Sequence, residues 1–200
     1  MNRDMFNSAA MWALLLGVLM SASRIFETKV LISGELSQFA GLTIEWIGSV
    51  AAYIYIIYIA TKKRGDVVVS EHPEMGYSVR MIINYSVIIS AMAAVIVGIS
   101  SHIYVVNVIG GYGEYAQLSA DSLMKVISEV DVSQDMTDFY ASSTETIRQS
   151  GENPPSIFST TISMVANYII TGFAIGGIIG LFTKRKPQQP EYQTVESDEQ

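Results

Sequence analysis

One carboxylate sits where carboxylates are rare. Glu45 interrupts an apolar stretch that runs from Phe39 to Ala60. A charged group inside such a stretch is costly and by default functional. Three other polar residues stand at matching positions of other apolar stretches: Arg24 at the end of the first, His102 near the end of the third, and Asn167 inside the fourth. Four segments could thus each supply one polar group to a single cluster. The chemistry open to it is limited. An Arg24–Glu45 ion pair would orient two helices. A Glu45–His102 pair would bind a proton, a cation or a lipid headgroup. A carboxylate against a cation stays ionised, whereas against an apolar wall its pKa rises. The bland alternative is depth: counting back about 20 residues from Ala60 places Glu45 only about 6 Å inside a hydrocarbon core, within reach of the headgroups. Trp46 beside it suits an interfacial aromatic belt.

Other patterns call for less. His72 lies in Glu71-His72-Pro73-Glu74, a solvated loop with no second ligand pair for a metal. Tyr53, Tyr55 and Tyr58 do not share a helical face, so they make no aromatic cofactor box. There is no cysteine, which removes disulfides, thiolate catalysis and cysteine metal sites. No HExxH, EF-hand loop, GxxxxGK[ST] or GxSxG occurs. No catalytic residue, cofactor or metal is expected.

The elements that must carry the polar cluster follow from the spacing of charge. The chain has 200 residues, half of them hydrophobic, and 31 are charged. Yet 19 residues between Asp4 and Arg24 carry no charge, nor do 33 between Arg80 and Glu114, nor 31 between Glu152 and Lys184. About 20 apolar residues cross a bilayer core as a helix, and an open strand in lipid would leave backbone groups unpaired. A soluble globular enzyme and a disordered chain are both excluded. A net charge of -7 without a basic patch beside an aromatic platform argues against nucleic acid as a partner. The partner of the spans is the lipid bilayer.

The expected fold is an all-α membrane protein, a four-transmembrane-helix antiparallel bundle with spans at about residues 6–23, 39–60, 79–104 and 157–182. Ser21-Ala22-Ser23 also has the composition of a signal-peptide cleavage site, but the apolar stretch before it is long for that role. Pro154-Pro155 suits the first turn of the last span. Basic residues set the orientation. Arg3, Lys62, Lys63, Arg64, Arg80, Lys184, Arg185 and Lys186 fall on one side, eight in all, against Arg24, Lys29, Lys125 and Arg148 on the other. Both termini are then cytoplasmic.

Residues 107–156 form an extracytoplasmic insert with eight acids and two bases. Tyr115, Leu118, Ser122, Met124, Val126, Ile127 and Val130 recur at helical spacing, as do Met136, Phe139, Tyr140 and Ile147. This predicts a helical hairpin broken near Asp131-Val132-Ser133, with Ser133 as a cap, ending near Gly151. Residues 187–200 read as a disordered acidic tail.

Small residues recur every four positions in three spans: Gly172, Gly176 and Gly180; Ala13, Gly17 and Ser21; Ser90, Ala94 and Gly98. In lipid, close backbone approach and dispersion must hold helices together. The glycine face of the last span either joins two copies in a homo-oligomer or packs within one chain. Three matching stripes can satisfy one another, which favours the second.

These features in order carry a resemblance. Lys62-Lys63-Arg64 follows a first hairpin, and Met75-Gly76-Tyr77-Ser78-Val79-Arg80 leads into the third span. That span closes on Gly98-Ile99-Ser100-Ser101-His102-Ile103-Tyr104, and Asn153-Pro154-Pro155 precedes a last span ending in Lys184-Arg185-Lys186. The chain resembles a bacterial four-span membrane family known as domain of unknown function number 4199, over about residues 8–186. The resemblance implies an integral inner-membrane protein and assigns no catalytic residue. The function expected from all of this is a non-enzymatic accessory or scaffold protein that binds a membrane protein partner or lipid in the cell envelope. The alternative is a small transporter or ion-linked carrier built on Glu45.

Overall fold

A computed structural model describes residues 3–130 and 133–187, without the side chains of residues 36–40. Among the described residues every regular element is a helix: α1 (Arg3–Ser33), α2 (Leu36–Glu71), α3 (Val79–Tyr104), α4 (Tyr112–Glu129), α5 (Gln134–Ser150) and α6 (Ile157–Thr183). A five-residue π-helical turn, Val105–Ile109, prolongs α3. The four long helices α1, α2, α3 and α6 are each long and apolar enough to cross a membrane. Their outward surfaces agree: Leu14, Val18, Tyr55, Ile170, Phe173 and Phe182 are all exposed. Apolar side chains around the whole circumference suit helices surrounded by lipid. This is the composition of a multi-pass membrane protein.

The first two helices are longer than the spans expected from hydropathy. The 31 residues of α1 and 36 of α2 would measure about 46 and 54 Å. Charges end an apolar run without ending a helix, because Lys and Arg are good helix formers. Lys62-Lys63-Arg64 accordingly lie within α2, and Arg24 and Lys29 within α1. The true breaks are conformational. Gly34, with φ of 63°, separates α1 from α2, and α2 stops at His72 just before Pro73. Gly110 and Gly111, both with positive φ, close the π turn. The last span begins later than the prolines suggest. Pro154 and Pro155 precede the helix, and the Ser156 side chain caps it by accepting from Ser159 N–H at 3.1 Å. Ser133 does stand at the start of α5, but its hydroxyl makes no cap bond. Its backbone carbonyl accepts from Thr137 N–H instead. Asp131, Val132 and residues 188–200 lie outside the described residues.

The bundle is organised around α3, which packs chiefly against α6 and then against α1. The small-residue stripes make both contacts. On the α6 side Gly98 meets Thr161, Ser90 meets Gly172, Ser86 meets Gly176 and Val79 meets Gly180. A Cβ added at Gly172 would lie 2.5 Å from Ser90 Oγ. The Gly172, Gly176 and Gly180 face is therefore filled by α3 of the same chain and is not free for a second copy. On the α1 side, Ala13 is buried and Gly17 lies against Ile96 and Ala93. Ala94 is fully buried.

Polar cross-links supplement this packing. Ser100 Oγ donates to Ser21 Oγ at 2.8 Å, Ser8 Oγ bonds Tyr85 Oη at 2.7 Å, and Tyr53 Oη donates to Ser90 Oγ at 2.6 Å. The hairpin of α4 and α5 rests on α1. Its buried residues are Ala116, Ala120, Ser122, Ile127 and Thr144. Ala116 and Ala120 are buried, Ala116 against Gly151, while Leu118, Val130, Met136 and Phe139 stay exposed.

Candidate functional site

Glu45 is reached by the side chains of two helices. Ser23 on α1 donates to its carboxylate, and Ser49, one turn further along α2, donates at 2.5 Å. The two serine oxygens stand 2.8 Å apart, so with one proton each the pair can make two of these three contacts as hydrogen bonds at a time. Ser49 was legible as an i+4 neighbour on the same helix face; Ser23 was not, because only the α1–α2 packing brings it there. The expected Arg24–Glu45 pair does not form. Arg24 pairs with Glu27, one turn along its own helix. A local partner wins because both side chains already share a face.

These groups line a cavity of about 260 Å³ together with Asn167 and Tyr168 of α6. Arg24, Glu27, Glu45 and Asn167 thus converge on one space between α1, α2 and α6, walled on its apolar side by Met20, Val97 and Met164. One guanidinium and two carboxylates make it suited to a cation or to a polar lipid head. His102 is not among the residues lining it. Its Nδ1 lies 3.1 Å from Tyr112 Oη, and that hydroxyl lies 3.2 Å from Thr160 Oγ1. His102 instead ties the end of α3 to the starts of α4 and α6. The proposed Glu45–His102 pair is therefore replaced by two separate polar sites.

The opposite ends of the spans hold the basic residues. Between Glu45 and Lys62 lie 16 residues, which separates the two by about 26 Å of helix, close to the thickness of a hydrocarbon core. Lys63 Nζ lies 5.3 Å from the Trp12 ring centre and Lys62 Nζ 6.0 Å from that of Tyr58. Lys184 and Lys186 are exposed, whereas Arg185 pairs with Asp66 of α2. Backbone bonds back this up. Tyr77 and Arg185 exchange two N–H to carbonyl bonds, each 2.9 Å. Gly76, with φ of 63°, permits the approach, since a Cβ there would lie 2.6 Å from the Arg185 carbonyl oxygen.

Arg64 is different from its two lysine neighbours. It is half-buried, makes no ion pair among the described residues, and lines a cavity of about 420 Å³ with Tyr77, Asn84 and Tyr85. Tyr77 is 2 % exposed, and its hydroxyl has no hydrogen-bond partner among the described residues. Burial pushes that hydroxyl's pKa up, with the neighbouring Tyr85 adding and Arg64 opposing. Sequence reasoning took Arg64 as a topology signal and took Tyr77 only as a marker residue. A basic residue one step beyond two others carries no sign that it alone turns inward.

No group of three histidine, aspartate or glutamate residues stands close enough to hold a metal among the described residues. No family model, curated protein or solved structure matches the chain.

Proposed function

We propose that the chain is a non-enzymatic accessory protein of the bacterial inner membrane. In this reading it is an antiparallel four-span bundle with both termini in the cytoplasm, and its extracytoplasmic hairpin engages a membrane protein partner. The observation that carries the reading is the surface of α5. This helix lies outside the four candidate spans, buries only Thr144, and leaves Met136 46 % and Phe139 67 % exposed. Large apolar side chains on a short helix packed against α4, with Arg148 bonded to Asp121 at 2.7 Å, suit a protein-binding face. The excess of basic residues at the Lys62 and Lys184 ends supports the orientation. The resemblance to the four-span family of unknown function accords with the reading and adds no residue role.

The test is affinity purification of the full chain from mildly solubilised membranes through a C-terminal tag. A stoichiometric partner lost on Phe139→Asp, while the variant stays folded and inserted, is the expected result. A partner that binds the variant equally well, or recovery of the protein alone, overturns the reading.

The cavity at Glu45 favours one alternative, a small ion-linked carrier. It places a carboxylate, a guanidinium and Asn167 around one space near a membrane edge. Glu45→Gln separates the two readings: a carrier loses its activity, and an accessory protein retains partner binding.

A further inference from the structure

We infer that the groove between α1, α2 and α3 at the Arg64 end binds the phosphate and upper acyl chain of an anionic phospholipid from the adjoining leaflet. The site lies at the other end of the spans from the hairpin, and its test does not depend on the partner reading. The groove holds about 420 Å³, and its walls are largely apolar, including Val68, Met81 and Ile88. Its polar groups can all donate. The Arg64 guanidinium offers a planar fork of N–H groups, Asn84 an amide, and Tyr77 a phenolic O–H. None of the three has a hydrogen-bond acceptor among the described residues. Arg64 has no hydrogen bond or ion pair among the described residues, and the buried Tyr77 hydroxyl is unpartnered. The buried Tyr77 hydroxyl calls for an acceptor, and the half-buried Arg64 beside the groove favours one that carries negative charge.

A phosphodiester supplies both. Its oxygens accept from a guanidinium in bidentate fashion and retain acceptor capacity for a phenol. The neighbouring wall excludes a free, fully hydrated phosphate as the natural occupant, since apolar surface next to the charge would gain nothing from it. A lipid brings its own hydrocarbon to that wall. Depth agrees: Arg64 lies two residues beyond Lys62, at the level where the headgroups begin. Basic pockets between spans at this level are suited to lipid heads.

The experiment is native mass spectrometry of the full-length protein, released from mild detergent after equilibration with equal amounts of phosphatidylglycerol and phosphatidylcholine of the same chains. One phosphatidylglycerol per chain should be retained in preference. Arg64→Gln should reduce its retention by about tenfold, as expected for loss of a charge-assisted bond. Lys62→Gln removes the same charge two residues away and should leave retention unchanged. Tyr77→Phe removes one oxygen from a preserved ring and should reduce retention by about threefold. It keeps the proposal testable if the Arg64 variant fails to fold. Equal retention of the two lipids overturns the proposal, as does an equal loss from Arg64→Gln and Lys62→Gln. So does complete displacement of the lipid by soluble glycerophosphate, which would assign a headgroup site without an acyl groove.

Discussion

Two hydroxyl-bearing side chains account for most of the polar contact between α2 and α3. Tyr53 is 4 % exposed, donates to Ser90 at 2.6 Å, and stacks edge-on with Tyr168 of α6 at 5.9 Å between ring centres. Tyr53→Phe keeps the ring contact and removes the bond. Interhelical hydrogen bonds in membranes average about 0.6 kcal/mol, so the variant should lose about 0.5–1 kcal/mol in reversible unfolding with SDS. A loss several times larger would mean that Ser90 also depends on the tyrosine to hold its backbone bond to Ser86. Glu45 differs because it only accepts from Ser23 and Ser49, and an amide oxygen in the same place can accept from both. Glu45→Gln should therefore leave the helices in place, which is what makes it a clean functional test.

At the scale of the element, glycines of α6 differ in what surrounds them. Gly172 has Ser90 in its place of approach, whereas nothing lies within 4 Å of a Cβ at Gly177. Gly172→Ala should destabilise the protein by about 1–3 kcal/mol by overpacking. Gly177→Ala should be neutral or slightly stabilising, by about 0.5 kcal/mol, because it only lowers the helix's conformational cost. Equal effects of the two, measured by the same SDS unfolding, would contradict the assigned face. The stripe itself was legible in the sequence as a period of four. Its partner was not, because three stripes of similar composition can pair in several ways, and the choice rests on shape that no period encodes. The ends of the third and fourth spans were legible within a residue or so, whereas those of the first two were missed, because Gly34 and Pro73, not the charges, set them. The charged residues at Arg24 and Lys62 mark where lipid ends, and the helices continue past them. On the hairpin, the periodic apolar residues were visible, but the buried contact falls on Ala116 and Ala120, whose small size makes them weak markers of a core.

For the whole molecule, three charge gaps and the apolar run from Phe39 to Ala60 were enough to show four apolar spans, since lipid imposes length more strictly than water imposes any pattern. They could not show the groove at Arg64, because its residues come from three helices and a connector. The arrangement of the spans predicts where the ends lie. A reporter fused after Gln200 should be active only in the form that works in the cytoplasm, and one inserted between α4 and α5 only in the form that works outside it. The reverse pattern would overturn the orientation.

The bridge between Tyr77 and Arg185 has a consequence for biosynthesis. Tyr77 leaves the ribosome with two of its backbone groups unmatched, and their mates are not made until the last span has been completed. The connector between the second and third spans must wait through most of translation for its closure. That closure depends on the final span having been made, so a chain halted before Arg185 lacks both bonds.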